Sequence, residues 1–395
     1  MKERFDPFRA GPIEERYAAA ARQRREAPVA QTSAGPWFVA SHDGVVAGLK
    51  AVDRFVGTFG SRDSGLPEDE QIIQAIPEPR HGKIRRIMNA VLAPSKVAKA
   101  APFIRELCAR LMDDVIAAPE CELVRAYVDP IPTTVIAHVL GIPTADWQQF
   151  KRWSDDVVEG LDPRAVRDQE RIRSLSQRHP EFAAYLDDQI AQRHAATEPP
   201  DDIITRFIHT EIDGERLWDV AIRTQLMVLI IAGNETTRNL IGNAFHTLAS
   251  DPVLCARLRN DPSIIPTVVE ESLRHDSPVQ ILARTCTQNT LIEGVEIPAN
   301  DAVVFGVGSA NRDERCYAEP AAFRLDRPDP WDHVAFGAGP HICPGAALAR
   351  LEATIALEVF SERVERFTLA PGYAFDPNPV FWAHGPRSLA VQIVV

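Results

Sequence analysis

The sequence predicts a mainly α-helical protein with a small β-sheet portion, folded as a single large domain over residues 1–395. Apolar residues recur at helical spacing in several long segments, which favours helices. Segments with strand character are few and short. The 31 prolines are scattered, and neither a Gly/Ser-rich linker nor an internal repeat divides the chain. These observations indicate many helices joined by tight turns around one core.

The predicted helices share an apolar stripe or an apolar centre. They cover residues 13–25, 102–117, 132–140, 145–161, 181–194, 217–248, 264–274 and 346–367. The helix at 217–248 is the longest and is apolar through its middle, so we expect it to be buried on most sides. The predicted strands cover residues 37–40, 302–307 and 388–395.

Composition excludes several classes of protein. The net charge of −12 argues against nucleic acid as a partner. Six cysteines without a C-x-x-C pair are typical of a reduced, cytoplasmic protein. The N-terminus lacks an apolar signal segment, and the longest apolar run, 226–232, is shorter than the ~20 residues that span a bilayer. We therefore expect a soluble, cytoplasmic monomer with no membrane partner.

One cysteine has unusual neighbours. Cys343 lies in the run FGAGPHICPG, which begins at Phe336 and ends at Gly345, and an apolar helical pattern follows at once. Glycines at these positions indicate a sharply bent backbone, and a cysteine just before a helix receives N–H groups that favour its thiolate. A Cys thiolate is one of the few axial ligands of haem. The alternative is a small buried thiol with no ligand role.

The whole run resembles the haem-binding loop of the cytochrome P450 family, F-x-x-G-x-H-x-C-x-G. The resemblance implies that Cys343 is the axial metal ligand of haem b (iron protoporphyrin IX). It also implies that Phe336 packs against the thiolate and that Gly345 belongs to the haem-binding loop. Pro344 has no N–H, so the sulfur is expected to receive hydrogen bonds chiefly from Gly345 and Ala346.

A polar notch interrupts the apolar centre of the longest predicted helix, where Ala232-Gly233 is followed by Asn234, Glu235, Thr236 and Thr237. In one interpretation Thr236 only bonds back to the carbonyl of Ala232, and Glu235 pairs with a distant arginine. The segment also resembles the oxygen-activation stretch A-G-x-E-T-T of the same family. That resemblance implies that Ala232 and Gly233 leave room for haem and O2, while Glu235 and Thr236 are the catalytic acid and alcohol.

Two further groups of residues fit the family pattern. The E-x-x-R of Glu271 and Arg274 is weak alone, but the resemblance implies a buried structural triad with Arg327. It also implies that four cationic residues, His81, Arg85, Arg284 and His341, bind the haem carboxylates. Buried carboxylates require such partners. His333 is a further candidate for the rim of the haem.

The resemblance implies insertion of one atom of O2 into a largely apolar small organic substrate, usually as a hydroxylation. Segments 74–77, 153–161, 228–232, 279–282 and 380–382 are expected around the substrate. No flavin or iron–sulfur motif occurs, so electrons are expected from a ferredoxin with its reductase, docked on Lys83, Arg86 and Arg350. The alternatives are an H2O2-using peroxygenase, a non-enzymatic haem sensor or electron carrier, and a cofactor-free helical scaffold.

Overall fold

Helices dominate the structure, a computed structural model that describes residues 6, 12–57, 65–118, 120–159, 173–212 and 214–394. The described α-helices are α1 Ile13–Glu26, α2 His42–Lys50, α3 Arg80–Val91, α4 Pro94–Val97, α5 Ala101–Ile116, α6 Pro130–Leu140, α7 Trp147–Glu159, α8 Leu175–Arg178, α9 Pro180–Ala195, α10 Ile203–His209, α11 Asp219–Ser250, α12 Pro252–Asn260, α13 Ile265–His275, α14 Val307–Ala310 and α15 Ala346–Arg363. The described part contains no helix long and apolar enough to cross a membrane.

The strands are short. They are β1 Val29–Gln31, β2 Trp37–Val39, β3 Phe55–Gly57, β4 Glu120–Glu122, β5 Glu211–Ile212, β6 Glu215–Arg216, β7 Ile281–Cys286, β8 Thr290–Ile292, β9 Val295–Ile297, β10 Ala302–Gly306, β11 Arg366–Leu369, β12 Asp376–Pro377, β13 Pro386–Ser388 and β14 Ala390–Val394. The largest sheet has the order β1-β2-β10-β7-β3, and a second has the order β11-β14-β4. In the first sheet, Arg284 of β7 pairs with Val303 of β10 and Gly57 of β3.

Helix α11 lies at the centre of the helical body. It packs against α6, α7, α9, α13 and α15, and most of its residues are buried. This arrangement confirms the prediction from its apolar middle. The main core joins these helices, and a separate apolar cluster lies under the five-stranded sheet. The helical body and the sheet meet in the segments that carry the candidate site.

The predicted last helix, 346–367, is too long. Helix α15 ends at Arg363 because Val364 is extended, and Phe367 pairs with Ile393 in a β-ladder. Strand β7 and helices α2, α10 and α12 have no counterpart among the predicted elements. Residues 160 and 161 of the predicted helix 145–161, and residue 395 of the last predicted strand, lie outside the described residues.

Candidate active site

The loop before α15 is sharply bent. Gly337 and Gly339 have φ angles of 78° and 72°, in the left-handed region that favours glycine. The Cys343 N–H donates to the carbonyl of Phe336 at 2.9 Å and closes the loop. A Cβ at Gly339 would lie 2.9 Å from Cα of Lys50, so only glycine allows the loop to pack against the end of α2. The bent backbone predicted from the glycines is therefore present.

The sulfur of Cys343 receives the two backbone donors predicted beside Pro344. Gly345 precedes α15, and hydrogen bonds from the N–H groups of Gly345 and Ala346 favour the thiolate. Dense surroundings nevertheless raise the pKa of the thiol, although the residue as a whole keeps exposed surface. Burial thus outweighs the donors, and a coordinating metal ion would supply the charge that deprotonates a thiol outright.

Four predicted residues from three separate segments form one cationic cluster. The rings of His81 and His341 lie 4.1 Å apart, and Arg85 donates to the carbonyl of Ile342 beside Cys343. Burial, followed by the charges of His81, Arg284 and Arg85, lowers the pKa of His341 to about 4. Cations packed this closely repel one another, so the cluster favours an anion.

The same cluster has side-chain donors whose hydrogen-bonding capacity the described residues leave partly unused. His81 Nδ1 lies 2.9 Å from Glu78 Oε1, whereas its buried Nε2 has no hydrogen-bond partner among the described residues. Arg284 donates to the adjacent carbonyl of Ala283 at 2.8 Å, and within the described ranges it forms no ion pair with a carboxylate. Burial lowers the pKa of Arg284. These donors fit the two carboxylates of a haem.

The notch in α11 combines an exposed apolar residue with a polar turn. Ala232 is exposed although it lies in the middle of this largely buried helix, and Gly233 beside it is half-buried. Thr236 Oγ1 donates to the carbonyl of Ala232 at 2.7 Å. The predicted back-bond is therefore present, and α11 continues through Gly233 without a break.

Glu235 is buried and held on one side. Its Oε1 accepts hydrogen bonds from Nδ2 of Asn239 at 3.1 Å and from Nδ2 of Asn378, and it lies 3.5 Å from a guanidinium nitrogen of Arg238. Burial raises the pKa of Glu235, while the charge of Arg238 opposes the shift. Arg238 is in turn paired with Asp129. A carboxyl with a raised pKa inside a helical core suits proton donation.

The buried triad is present as predicted. Glu271 accepts from Arg274 at 2.7 and 2.8 Å and from Arg327 at 3.0 Å on both oxygens. Arg274 also donates to three backbone carbonyls of the segment after α14. The triad therefore ties α13 to the segment that leads into the cysteine loop.

A second buried acid was not predicted. Glu270 accepts from Arg350 at 2.6 and 2.8 Å and contacts His333 Nε2 at 3.0 Å. His333 Nδ1 also accepts the N–H of Ala335, so both ring nitrogens have protein partners, and the position of His333 at the haem rim stays a prediction. The guanidinium of Arg350 lies 4.5 Å from the ring centroid of Phe336. The only sequence feature that could have indicated the contacts of Glu270 with Arg350 and His333 is that two acids, Glu270 and Glu271, are adjacent.

A loop cysteine with two backbone donors beside a cationic cluster fits a group that carries both a metal and carboxylates. Haem has these features, and the residues present fit it, so the fold and site define a haem-thiolate protein. The family model described as Cytochrome P450 matches residues 139–373. The chain belongs to the cytochrome P450 family, and it is a monooxygenase of the bacterial type.

Individual relatives agree along most of the chain. "Cytochrome P450 109" of Bacillus spizizenii is 35% identical over 85% of this chain and 80% of its own length. "Steroid C26-monooxygenase" of Mycolicibacterium smegmatis is 31% identical over 93% of this chain and 90% of its own. The structure of cytochrome P450 CYP109Q5 from Chondromyces apiculatus, 32% identical, covers 100% of this chain and 99% of its own with a TM-score of 0.88.

Proposed function

We propose that the chain, as one domain over 1–395, is a haem b monooxygenase that hydroxylates a largely apolar small molecule with O2. The observation that carries the use of O2 is the pair on α11, where buried Glu235 with its raised pKa directly precedes the half-buried hydroxyl of Thr236. An enzyme that uses H2O2 needs no proton supply for cleaving O2, so this pair favours O2 over peroxide.

Each group of residues has one role in this proposal. Cys343 ligates the iron, while His81, Arg85, Arg284 and His341 bind the two carboxylates. The bound haem supplies the activation of O2 and the transfer of one oxygen atom to the substrate. Glu235 holds a proton in the core, and the Thr236 hydroxyl passes it towards the exposed face of α11 at Ala232. The protein thus provides ligand, protons and orientation.

Apolar residues support an apolar substrate. Among the segments predicted around the substrate, Val228 and Val380 are partly buried, and Leu229 and Ile281 are buried. A binding site lined by such side chains would favour substrates that bury carbon surface. The printed name of the relative "Steroid C26-monooxygenase" refers to a substrate of this kind. We extend to this chain only the apolar character, not the steroid.

The electron donor is proposed to be a ferredoxin with its reductase, bound at the face of the cysteine loop. Of the predicted dock, Lys83 pairs with Glu215 at 2.9 Å and Arg350 pairs with buried Glu270, so both charges are partly neutralised. Two large apolar side chains, Ile342 and Trp331, are 48% and 55% exposed near the loop. We therefore shift the proposed contact from Arg350 to these two side chains.

The state of the cysteines bears on the cellular compartment of the enzyme. All six cysteines are free, which is consistent with a reduced compartment, and we propose a cytoplasmic monomer.

Isotope labelling tests the function. The purified holoenzyme is incubated with NADH, a ferredoxin–reductase pair and a library of apolar compounds that produce the high-spin spectral shift. The product is then analysed by mass spectrometry under 18O2. One labelled oxygen per product, dependent on NADH, is expected. Product formed only with added H2O2 would identify a peroxygenase, and binding without product would identify a sensor.

A further inference from the structure

A loop near the C-terminus lies along α11 beside Glu235. The Asn378 N–H donates to the carbonyl of Gly385 at 2.9 Å and closes the base of the loop. A Cβ at Gly385 would lie 2.4 Å from Oδ1 of Asn239, so glycine permits this close approach to α11. Asn243, one turn further along, donates to the carbonyl of His384 at 3.1 Å. The base of the loop is thus fixed on the helix that carries the acid.

The tip of the same loop lies on the side of the five-stranded sheet. The Gln280 N–H donates to the carbonyl of Trp382 at 2.8 Å, and Val279 forms an isolated antiparallel bridge with Ala383. Strand β7 begins at the next residue, Ile281, and carries Arg284 of the cationic cluster. One loop therefore connects the acid on α11 to a segment expected around the substrate.

The side chain of Asn378 is oriented by the loop itself. Its Oδ1 accepts the N–H of Val380 at 3.2 Å, a local turn that asparagine often forms. With the oxygen used in this way, the amide nitrogen points at Glu235 and donates to Oε1. A movement of the residues at 380–382 would consequently move the donor.

The contacts of Glu235 are asymmetric. Among the residues the structure describes, the two amide donors and the guanidinium of Arg238 all approach Oε1. An oxygen that accepts several donors is the carbonyl-like oxygen of a neutral carboxyl, because a proton on it would repel those donors. The proton of the neutral acid therefore resides on Oε2.

We propose that Asn378 is a positioning residue for Glu235: it anchors Oε1 from the substrate-side loop, so that Oε2 delivers and recovers the proton. Proton supply would then depend on the position of the loop, and hence on what occupies the segment expected around the substrate. The inference rests on the proposed function, because only an O2-dependent enzyme requires this proton.

Other charges act on the same carboxyl. Arg238 lies on the same helix, and Asp155 and Lys151 act on Glu235 from α7. Asp129, just before α6, acts through its pair with Arg238 and lies 3.8 Å from Lys151. The loop contributes the uncharged amide of Asn378. Replacing that amide changes the local electrostatics without removing any of these charges.

Infrared difference spectroscopy of the holoenzyme over pH tests the proposal without turnover. Glu235→Gln assigns the protonated-carboxyl band. Loss of a donor to Oε1 disfavours the ionised form, so in Asn378→Ala the band should persist to higher pH than in wild type. Asn378→Asp, of nearly the same shape, adds a like charge and should extend the band further. An unchanged titration in both variants would overturn the proposal.

Turnover provides the second measurement. Product per NADH should fall about tenfold in Asn378→Ala, since a positioned general acid contributes ~10²–10⁴-fold. Substrate affinity and the carbon monoxide spectrum should remain those of wild type. Asn289→Ala, which removes a comparable Asn–Glu contact of 3.2 Å on an exposed hairpin, is the matched control. A product yield per NADH in Asn378→Ala equal to that of wild type would contradict the proposal. Absence of O2-dependent product in wild type would overturn the proposed function. In that case the infrared titration would still decide the inference about Asn378.

Discussion

Glu270 holds Arg350 through two short hydrogen bonds, 2.6 Å to Nε and 2.8 Å to a terminal nitrogen. The acid belongs to α13 and is fully buried, whereas Arg350 belongs to the first turns of α15, just after the cysteine loop. Because the same guanidinium packs on the ring of Phe336, this pair braces the loop from below. Arg350 is thus part of the support of Cys343.

The pair changes what a charge reversal at Arg350 would do. Arg350→Glu leaves buried Glu270 with only His333 and places a like charge beside it, which costs on the order of 3–5 kcal/mol. We expect a lower midpoint of urea unfolding and faster loss of haem, measured by circular dichroism and by the Soret band. Arg105→Glu, at an exposed pair with Glu358, is the control. If Arg350→Glu keeps wild-type stability and only binds ferredoxin more weakly, Arg350 contacts the ferredoxin rather than supporting the loop.

Cys343→His should abolish the thiolate signature. The reduced protein with carbon monoxide is expected to show a strongly red-shifted Soret band in wild type, and the variant should lose it because imidazole donates less charge to iron. Cys316→Ser, at another exposed cysteine, should keep the wild-type spectrum. A red-shifted band in Cys343→His would show that a different thiolate ligates the iron.

Thr236→Ala should separate electron consumption from product formation. The hydroxyl is lost while alanine, a good helix former, keeps the helix intact. NADH oxidation should therefore continue, and product per NADH should fall about tenfold or more. Thr210→Ala is a matched control, because Thr210 makes the same back-bond to Arg206 at 2.6 Å outside the site. An equal yield of product per NADH in the two variants would show that the Thr236 hydroxyl has only a structural role.

Arg327 of the triad should contribute more to stability than the neighbouring arginine outside the triad. Arg327→Ala leaves buried Glu271 with one partner fewer, and we expect a loss of about 3 kcal/mol in the free energy of unfolding. Arg324→Ala, at a neighbouring position whose side chain pairs with exposed Asp326, is the control. Denaturant titration of both holo-variants measures the difference. Equal losses would show that the triad contributes no more than an exposed pair.

Asp313 should contribute to stability in a defined pH window. Burial opposes its ionisation, but hydrogen bonds from Arg315 and from the N–H of His42 outweigh burial and lower the pKa of the carboxyl from 3.8 to about 2. A pKa below that of the unfolded chain stabilises the fold above about pH 4, and this contribution disappears as the pH falls towards 2. The stability difference between wild type and Asp313→Asn should shrink over that range. A constant difference would contradict the assignment.

The helical class and the bent cysteine loop were predictable because their signals are local. The glycines around Cys343 and the apolar run before Glu235 can be recognised without knowledge of distant residues. Strand β7 was missed because Arg284 is ordered by pairing with Val303 and Gly57, which lie far away in the chain. Asn378 was missed for the same reason, since its contact with Glu235 spans 143 positions and belongs to no recognisable motif.

The contacts of Glu270 on α13 could not be predicted from the sequence. The family resemblance indicated Glu271 and Arg274 as partners, but Glu270 points in a different direction and contacts Arg350 and His333. No local pattern distinguishes such a residue from a solvated helix charge. Its partners come from the segment at 333–350, and only the tertiary fold brings that segment beside α13.

Glu270 and Glu271 project from α13 about 100° apart, as consecutive residues of an α-helix do. Glu270 pairs with Arg350, which follows the cysteine loop, and Glu271 pairs with Arg327 of the segment before that loop. A rotation of α13 about its own axis would break both ion pairs at once. The two ion pairs together therefore fix the rotation of α13 about its axis. Since β7 begins only a few residues after α13, that angle also sets the direction from which Arg284 enters the anion site.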